Sequence, residues 1–117
     1  MQELITNDQH HCLKLKASGV IRFASFTEIV YLKADDNYTI FVLNDLSQIT
    51  MCKSMANFEL VLGYLFFRCH KTYLVNSKYI REINKRSHYL LLTTGERIPY
   101  SRNKAKMLEE KMKMQPS

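Results

Sequence analysis

Five short segments of strand character follow one another between His11 and Cys52, with turns between them too short to hold a helix. Cys12, Leu13 and Leu15 alternate with His11, Lys14 and Lys16. A turn at Ala17-Ser18-Gly19 then leads into Val20, Ile21 and Phe23, the pattern of a hairpin. After a break at Phe26-Thr27-Glu28, Ile29 to Ala34 is β-branched and aromatic. Asp35-Asp36-Asn37 turns the chain into Tyr38 to Leu43, and Asn44-Asp45-Leu46-Ser47 turns it again into Gln48 to Cys52. Parallel neighbours need a crossover of about a dozen residues or more. The spacing here allows only antiparallel sheets, so the first half of the chain is mainly β.

Beyond Cys52 the period changes. Met55, Phe58, Val61, Leu62 and Leu65 recur at helical spacing behind Ser54, which fits an N-cap, with Asn57 a competing candidate. This amphipathic segment is interrupted near Gly63, and its apolar stripe reads as core packing. No second helix follows at the distance a helix-turn-helix requires. Instead come residues 66 to 78, then strand patterns at Tyr79 to Lys85, Tyr89 to Thr93 and Arg97 to Tyr100. Pro99 belongs at an edge or strand end because it cannot donate to a ladder. Ser101 fits the cap of a closing helix from Arg102 to Met114 that frays toward Gln115-Pro116-Ser117.

A chain of 117 residues fits one domain with a core of its own. Residues 1–10 read as a polar arm or the end of a linker, and residues 11–117 as the domain. No apolar run approaches the ~18 residues of a membrane span, and the N-terminus lacks a signal-peptide layout. Cys12, Cys52 and Cys69 are an odd, scattered set, which points to a reducing cytoplasm rather than a disulfide framework. The net charge of +6 is unevenly spread. Residues 1–67 hold five basic and seven acidic side chains, whereas residues 68–117 hold twelve basic and four acidic ones. Clustered cations reward a polyanionic partner through counterion release, although a basic surface can also be merely solvated. No long basic amphipathic helix with aromatic anchors precedes residue 101, so an anionic membrane is not the expected partner.

The densest chemistry lies in Phe66-Phe67-Arg68-Cys69-His70-Lys71-Thr72-Tyr73-Leu74-Val75-Asn76-Ser77-Lys78. It reads as a short strand, with Phe67 and Cys69 alternating against Arg68 and His70, followed by a polar loop around a Leu74-Val75 anchor. Basic, hydroxyl, amide and aromatic groups at that density suit phosphates and base edges. The plain alternative is a solvated turn with a two-residue hydrophobic plug, and these residues alone leave it open. Metal binding is disfavoured: His10, His11, Cys12, Cys52, Cys69, His70 and His88 include no paired short ligand spacing. Cys69 and His70 point to opposite faces of a strand, which disfavours a nucleophilic pair as well. Gly19, Gly63 and Gly95 are isolated and form no phosphate-binding loop. No cofactor, metal or catalytic residue is expected.

The stretch Phe67, Arg68-Cys69-His70, Lys71, Thr72, Tyr73, Leu74-Val75, Asn76 resembles a signature of the LytTR family of bacterial DNA-binding domains. Two further elements resemble the same family in the same order: Ile29-Val30-Tyr31-Leu32-Lys33-Ala34-Asp35-Asp36-Asn37-Tyr38-Thr39, and Ile98-Pro99-Tyr100-Ser101-Arg102. Together they cover roughly residues 10 to 105. The resemblance implies a mainly β fold, an elongated stack of three small antiparallel sheets with one short central helix and a C-terminal helix. It implies binding of duplex DNA by loops in successive major grooves and along the backbone between them.

Carried over by position, base contacts fall on Tyr38, Lys71 and Arg102. Backbone contacts fall on Asn37, His70, Thr72, Tyr73, Asn76, Ser101, Asn103 and Lys104. Arg102 matches the family signature directly, whereas Tyr38 and Lys71 stand where the family varies. The implied role is transcriptional regulation in a bacterium as the output domain of a two-component-type response regulator. Its partners would be an upstream receiver or sensor domain or a partner kinase, and it would be monomeric in isolation with two copies on tandem direct repeats. Two other readings stay open. One is single-stranded nucleic acid or RNA binding, with Tyr31, Tyr38, Tyr73 and Tyr100 as stacking platforms. The other is a protein-interaction or sensor domain without DNA.

Overall fold

The computed structural model describes residues 3–6 and 11–114. It shows three antiparallel sheets and two helices. The N-terminal sheet contains β1 (Glu3–Thr6), β2 (His11–Ala17) and β3 (Val20–Ser25), in that spatial order. Ser25 closes β3 with a capping box: its Oγ accepts from the Thr27 N–H at 3.3 Å, and its own N–H donates to Glu28 Oε1 at 2.8 Å. The Phe26-Thr27-Glu28 break is the resulting 3-10 turn.

Five strands make the central sheet: β4 (Ile29–Asp35), β5 (Tyr38–Leu43), β6 (Gln48–Met51), β7 (Phe66–His70) and β8 (Tyr73–Asn76), ordered β6-β5-β4-β8-β7. Helix α1 (Ala56–Leu62) connects β6 to β7 and stops at Gly63, whose φ of 77° is open to glycine at little cost. The third sheet, β9 (Ile80–Asn84), β10 (Tyr89–Leu92) and β11 (Arg97–Pro99), is followed by the closing helix α2 (Ala105–Met114). Among the described residues no helix is long and apolar enough to cross a membrane.

The central sheet is the middle layer of this stack. One face carries Leu32, Phe41, Leu43 and Leu74 onto Leu13 and Leu15 of β2 and onto Phe58 and Leu62 of α1. Phe41 and Phe58 meet edge to face with ring centroids 4.8 Å apart. The other face carries Val30, Tyr31, Val42 and Val75 onto Leu90, Leu92 and Ile98 of the third sheet and Leu108 of α2. Cys69 and Phe67 point inward together in this second core.

Local chemistry departs from the sequence expectations at four places. Residues 3–6, expected within an arm or linker, form a strand against β2, while residues 1, 2, 7–10 and 115–117 lie outside the described residues. Leu74 and Val75 are not a plug in a loop. They are the middle of β8, which pairs with both β4 and β7 and is therefore covered on both faces and both edges. Ser54 does not cap α1. The N-cap position is Met55, which makes no side-chain cap bond, and Ser54 Oγ and O instead take the Asn57 side-chain amide at 3.0 and 3.2 Å. Ser101 stands at an N-cap position but makes no side-chain capping bond, and the closing helix opens with a 3-10 turn at Arg102–Lys104.

Candidate nucleic-acid interface

Three segments far apart in sequence meet at one end of the central sheet because of strand register. The β4–β5 hairpin turns at Asp36-Asn37, with Asp35 opposite Tyr38. The β7–β8 hairpin turns at Lys71-Thr72, with His70 opposite Tyr73. Strand β4 pairs antiparallel with β8, Lys33 facing Tyr73, so both turns leave the sheet at the same end. The Ala34 N–H donates to Thr72 O at 2.8 Å and ties the two hairpins together. The third segment joins through the Ser101 N–H, which donates to Cys69 O at 2.8 Å and holds the Arg102–Lys104 turn beside the end of β7.

Of the residues expected to contact bases, Tyr38, Lys71 and Arg102 are all exposed on these three segments. Asn37 and Asn103 are exposed too, whereas His70, Thr72, Tyr73, Ser101 and Lys104 are half-buried. His70 folds back on its own turn: Nδ1 accepts from the Thr72 N–H at 3.1 Å, and its ring meets Tyr73 with centroids 6.1 Å apart. That leaves Nε2 as the ring atom without a bond inside the turn.

Asn76 requires a correction. It is 3 % exposed. Its Nδ2 donates to Phe26 O at 3.3 Å and to Ile29 O at 3.0 Å, and its Oδ1 accepts from the Lys78 N–H at 3.1 Å. The amide is used within the protein as a cap for the Ser77–Tyr79 turn and as a tie to the start of β4. A buried amide so engaged has nothing to offer a phosphate.

The register also brings in residues that sequence reasoning passed over. Lys33 is exposed opposite Tyr73, next to Ala34, where β4 bonds Thr72. Lys53 follows β6 at the same end, its carbonyl accepting from Thr39 Oγ1 at 2.6 Å. Arg68 donates through Nε to His70 O at 3.0 Å and through one terminal nitrogen to Lys71 O at 2.6 Å. Its other terminal nitrogen meets Glu59 Oε1 on α1 at 2.7 Å. Only strand pairing could have exposed Lys33 and Lys53. Arg68 was visible as a basic residue in the right stretch, but not as a side chain turned inward onto the turn.

Among the described residues no three His, Cys, Asp or Glu side chains gather as a metal site. Burial pushes the Cys69 thiol up to about 12, far from a thiolate nucleophile at neutral pH. The arrangement is instead exposed cations, amides and an aromatic ring on short loops held by a rigid sheet, the chemistry of phosphate and base-edge contact.

Comparison with known proteins agrees. No curated protein sequence matches the chain. A solved structure described as the LytTr DNA-binding domain of a putative methyl-accepting/DNA response regulator from Bacillus cereus superposes with a TM-score of 0.74. It is 28 % identical in sequence, and the match covers 86 % of this chain and 95 % of that one. The family model of the LytTr DNA-binding domain matches residues 19–113, the three converging segments included, and the chain belongs to that family.

Proposed function

We propose that this protein binds duplex DNA sequence-specifically to regulate transcription, with Tyr38, Lys71 and Arg102 at base edges. Asn37, His70, Thr72, Tyr73, Ser101, Asn103 and Lys104 are then the backbone contacts, and Asn76 is not among them. The observation that carries the reading is the convergence of three exposed polar loops at one end of one sheet. The role in the cell is that of a response-regulator output domain acting under an upstream receiver, sensor domain or kinase. It is monomeric when free, and two copies load on tandem direct repeats.

Single-stranded binding is the weaker reading because two of its four stacking platforms are spent on the core. Tyr31 is 8 % exposed with its hydroxyl donating to Glu96 at 2.6 Å, and Tyr100 is 4 % exposed. Bases cannot stack on buried rings.

The test selects bound duplexes from a random pool and then compares Arg102→Lys and Arg102→Ala on the selected and a scrambled duplex. A guanidinium reading guanine donates two parallel bonds that lysine cannot reproduce. Arg102→Lys should lose about 1–3 kcal/mol on the selected site and little on the scrambled one. Equal losses on both duplexes would reduce Arg102 to a phosphate contact. Preference for the single strand in direct competition would replace duplex reading altogether.

A further inference from the structure

We infer that Arg68, anchored by Glu59, is the positioning residue that sets the Lys71-Thr72 turn for base contact. This rests on the DNA reading above and deepens it. From Phe67 to His70 strand β7 takes three steps while β8 takes two, from Val75 to Tyr73, so β7 carries one extra residue there. A bulge of this kind bends its strand and re-aims a side chain. Cys69 is driven fully into the core, and Arg68 is left half-buried beside the turn. Its guanidinium lies along the turn and engages His70 O and Lys71 O, the carbonyls of the two residues entering it. The remaining nitrogen is held by the Glu59 carboxylate of α1 at 2.7 Å.

Each of the three guanidinium nitrogens therefore has a partner inside the protein. The planar fork fixes the angle between turn and helix as well as their distance, which a lysine ammonium cannot do. Precision of this kind at a contact residue comes from the shell behind it, where looseness of about an ångström is enough to spoil a site. Glu59 thereby ties a helix with no expected DNA contact to the residue expected to read a base.

Glu59→Gln separates this role from simple electrostatics by sign. Removing a negative charge from a DNA-binding protein strengthens its attraction to duplex of any sequence. Loss of the anchor instead weakens the selected duplex, by about three- to tenfold, with no loss on the scrambled one. Arg68→Lys, which keeps the charge, weakens the selected duplex by about tenfold and leaves the salt dependence unchanged. In the free protein both variants speed hydrogen exchange at the Thr72 amide, which is bonded to His70 Nδ1, while the thermal midpoint confirms a folded state.

The inference is overturned if Glu59→Gln binds the selected duplex as tightly as the parent. It is overturned equally if Arg68→Lys is silent, or if Arg68→Ala lowers affinity for both duplexes alike and flattens the salt slope, because Arg68 is then itself a phosphate contact. A parent protein that binds no duplex would remove the DNA reading, and the exchange rates of the free variants would still decide whether the brace exists.

Discussion

The two cores on opposite faces of the central sheet differ in what they are made of and in what they support. The one shared with the N-terminal sheet and α1 is wholly apolar, from Leu13 and Leu15 through Phe41 and Phe58 to Leu74. The one shared with the third sheet and α2 admits Tyr31, Cys69 and Tyr100 among its aliphatic residues. Each of those polar atoms has a partner near the candidate interface or along the third sheet. Tyr31 donates to Glu96, Tyr100 donates to Asn84 O, and the Cys69 thiol has Pro99 O and Tyr73 O at 3.7 and 3.9 Å. The first core is held mainly by apolar area, with the buried Asn76 amide bonded to the carbonyls of its Phe26 and Ile29. The second also orients the residues leading into Tyr73 and Arg102. Specific orientation requires directional bonds, and these appear where the loops must be aimed.

The strongest way to break this comparison is to empty each core in turn. Phe58→Ala should cost about 3–5 kcal/mol and Leu108→Ala about 2–5 kcal/mol of unfolding free energy, measured in urea. Leu108 lies on the helix that follows the Arg102–Lys104 turn, so its variant should also lose preference for the selected over the scrambled duplex. Leu13→Ala on β2, in the same first core but off the helix that carries Glu59, should cost about 2–5 kcal/mol and keep that preference in the folded fraction. Equal loss of preference from Leu108→Ala and Leu13→Ala would mean that the division of labour between the cores does not exist. Asn76 gives a smaller and cleaner effect. Asn76→Ala removes the buried amide that bonds the Phe26 and Ile29 carbonyls and the Lys78 N–H, and should cost about 1–3 kcal/mol of stability, with the salt dependence of DNA binding unchanged. A flattened salt slope from this variant would return Asn76 to the interface.

Strand order along most of the chain, the antiparallel sheets, the short α1 ended at Gly63 and the burial of Cys69 were all readable from period and turn residues. The Lys71-Thr72 hairpin was not, because β8 contributes only four residues and its apolar pair is too short to show any period. Its strand character comes from β4 and β7 on either side, a tertiary effect. The same limit hid Asn76: an Asn followed by Ser and Lys reads as surface until the fold brings two carbonyls from residues 26 and 29 to it. Lys33 and Lys53 became candidates only through register. Arg102 was legible because the signature surrounding it is local.

The polar content of the second core makes it the alkali-sensitive one. Burial raises the Cys69 thiol to about 12 from an ordinary 9.0, and burial with the Glu96 bond raises the Tyr31 hydroxyl. Above pH 9 the unfolded chain releases the Cys69 proton while the folded chain keeps it. The unfolded state then binds fewer protons, and stability falls as pH rises, by at most about 1.4 kcal/mol per pH unit for one group. Stability from this source is complete below pH 9 and lost toward 12. Cys69→Ala should make the decline between pH 9 and 11 shallower in urea titrations. An unchanged slope would place the alkaline sensitivity elsewhere.

The smallest expected effect concerns charge at the two ends of the stack. Each phosphate contact contributes about 0.9 to the slope of log affinity against log salt, so replacing one contacting lysine by glutamine should lower that slope by about 0.9. Lys71 lies in the β7–β8 turn and Lys104 in the turn after Ser101, and both variants should show the change. Lys16 is exposed on the N-terminal sheet, paired with Ile21 near the far end of β2, and Lys16→Gln should leave the slope alone. Lys33→Gln is the informative intermediate. By sequence position it belongs to the acidic half, yet register sets it opposite Tyr73. A slope change at Lys33 shows that the footprint follows strand pairing, whereas a silent Lys33 confines it to the turns. A change at Lys16 equal to that at Lys71 would mean that attraction is spread over the whole surface and that no end of the molecule faces the DNA.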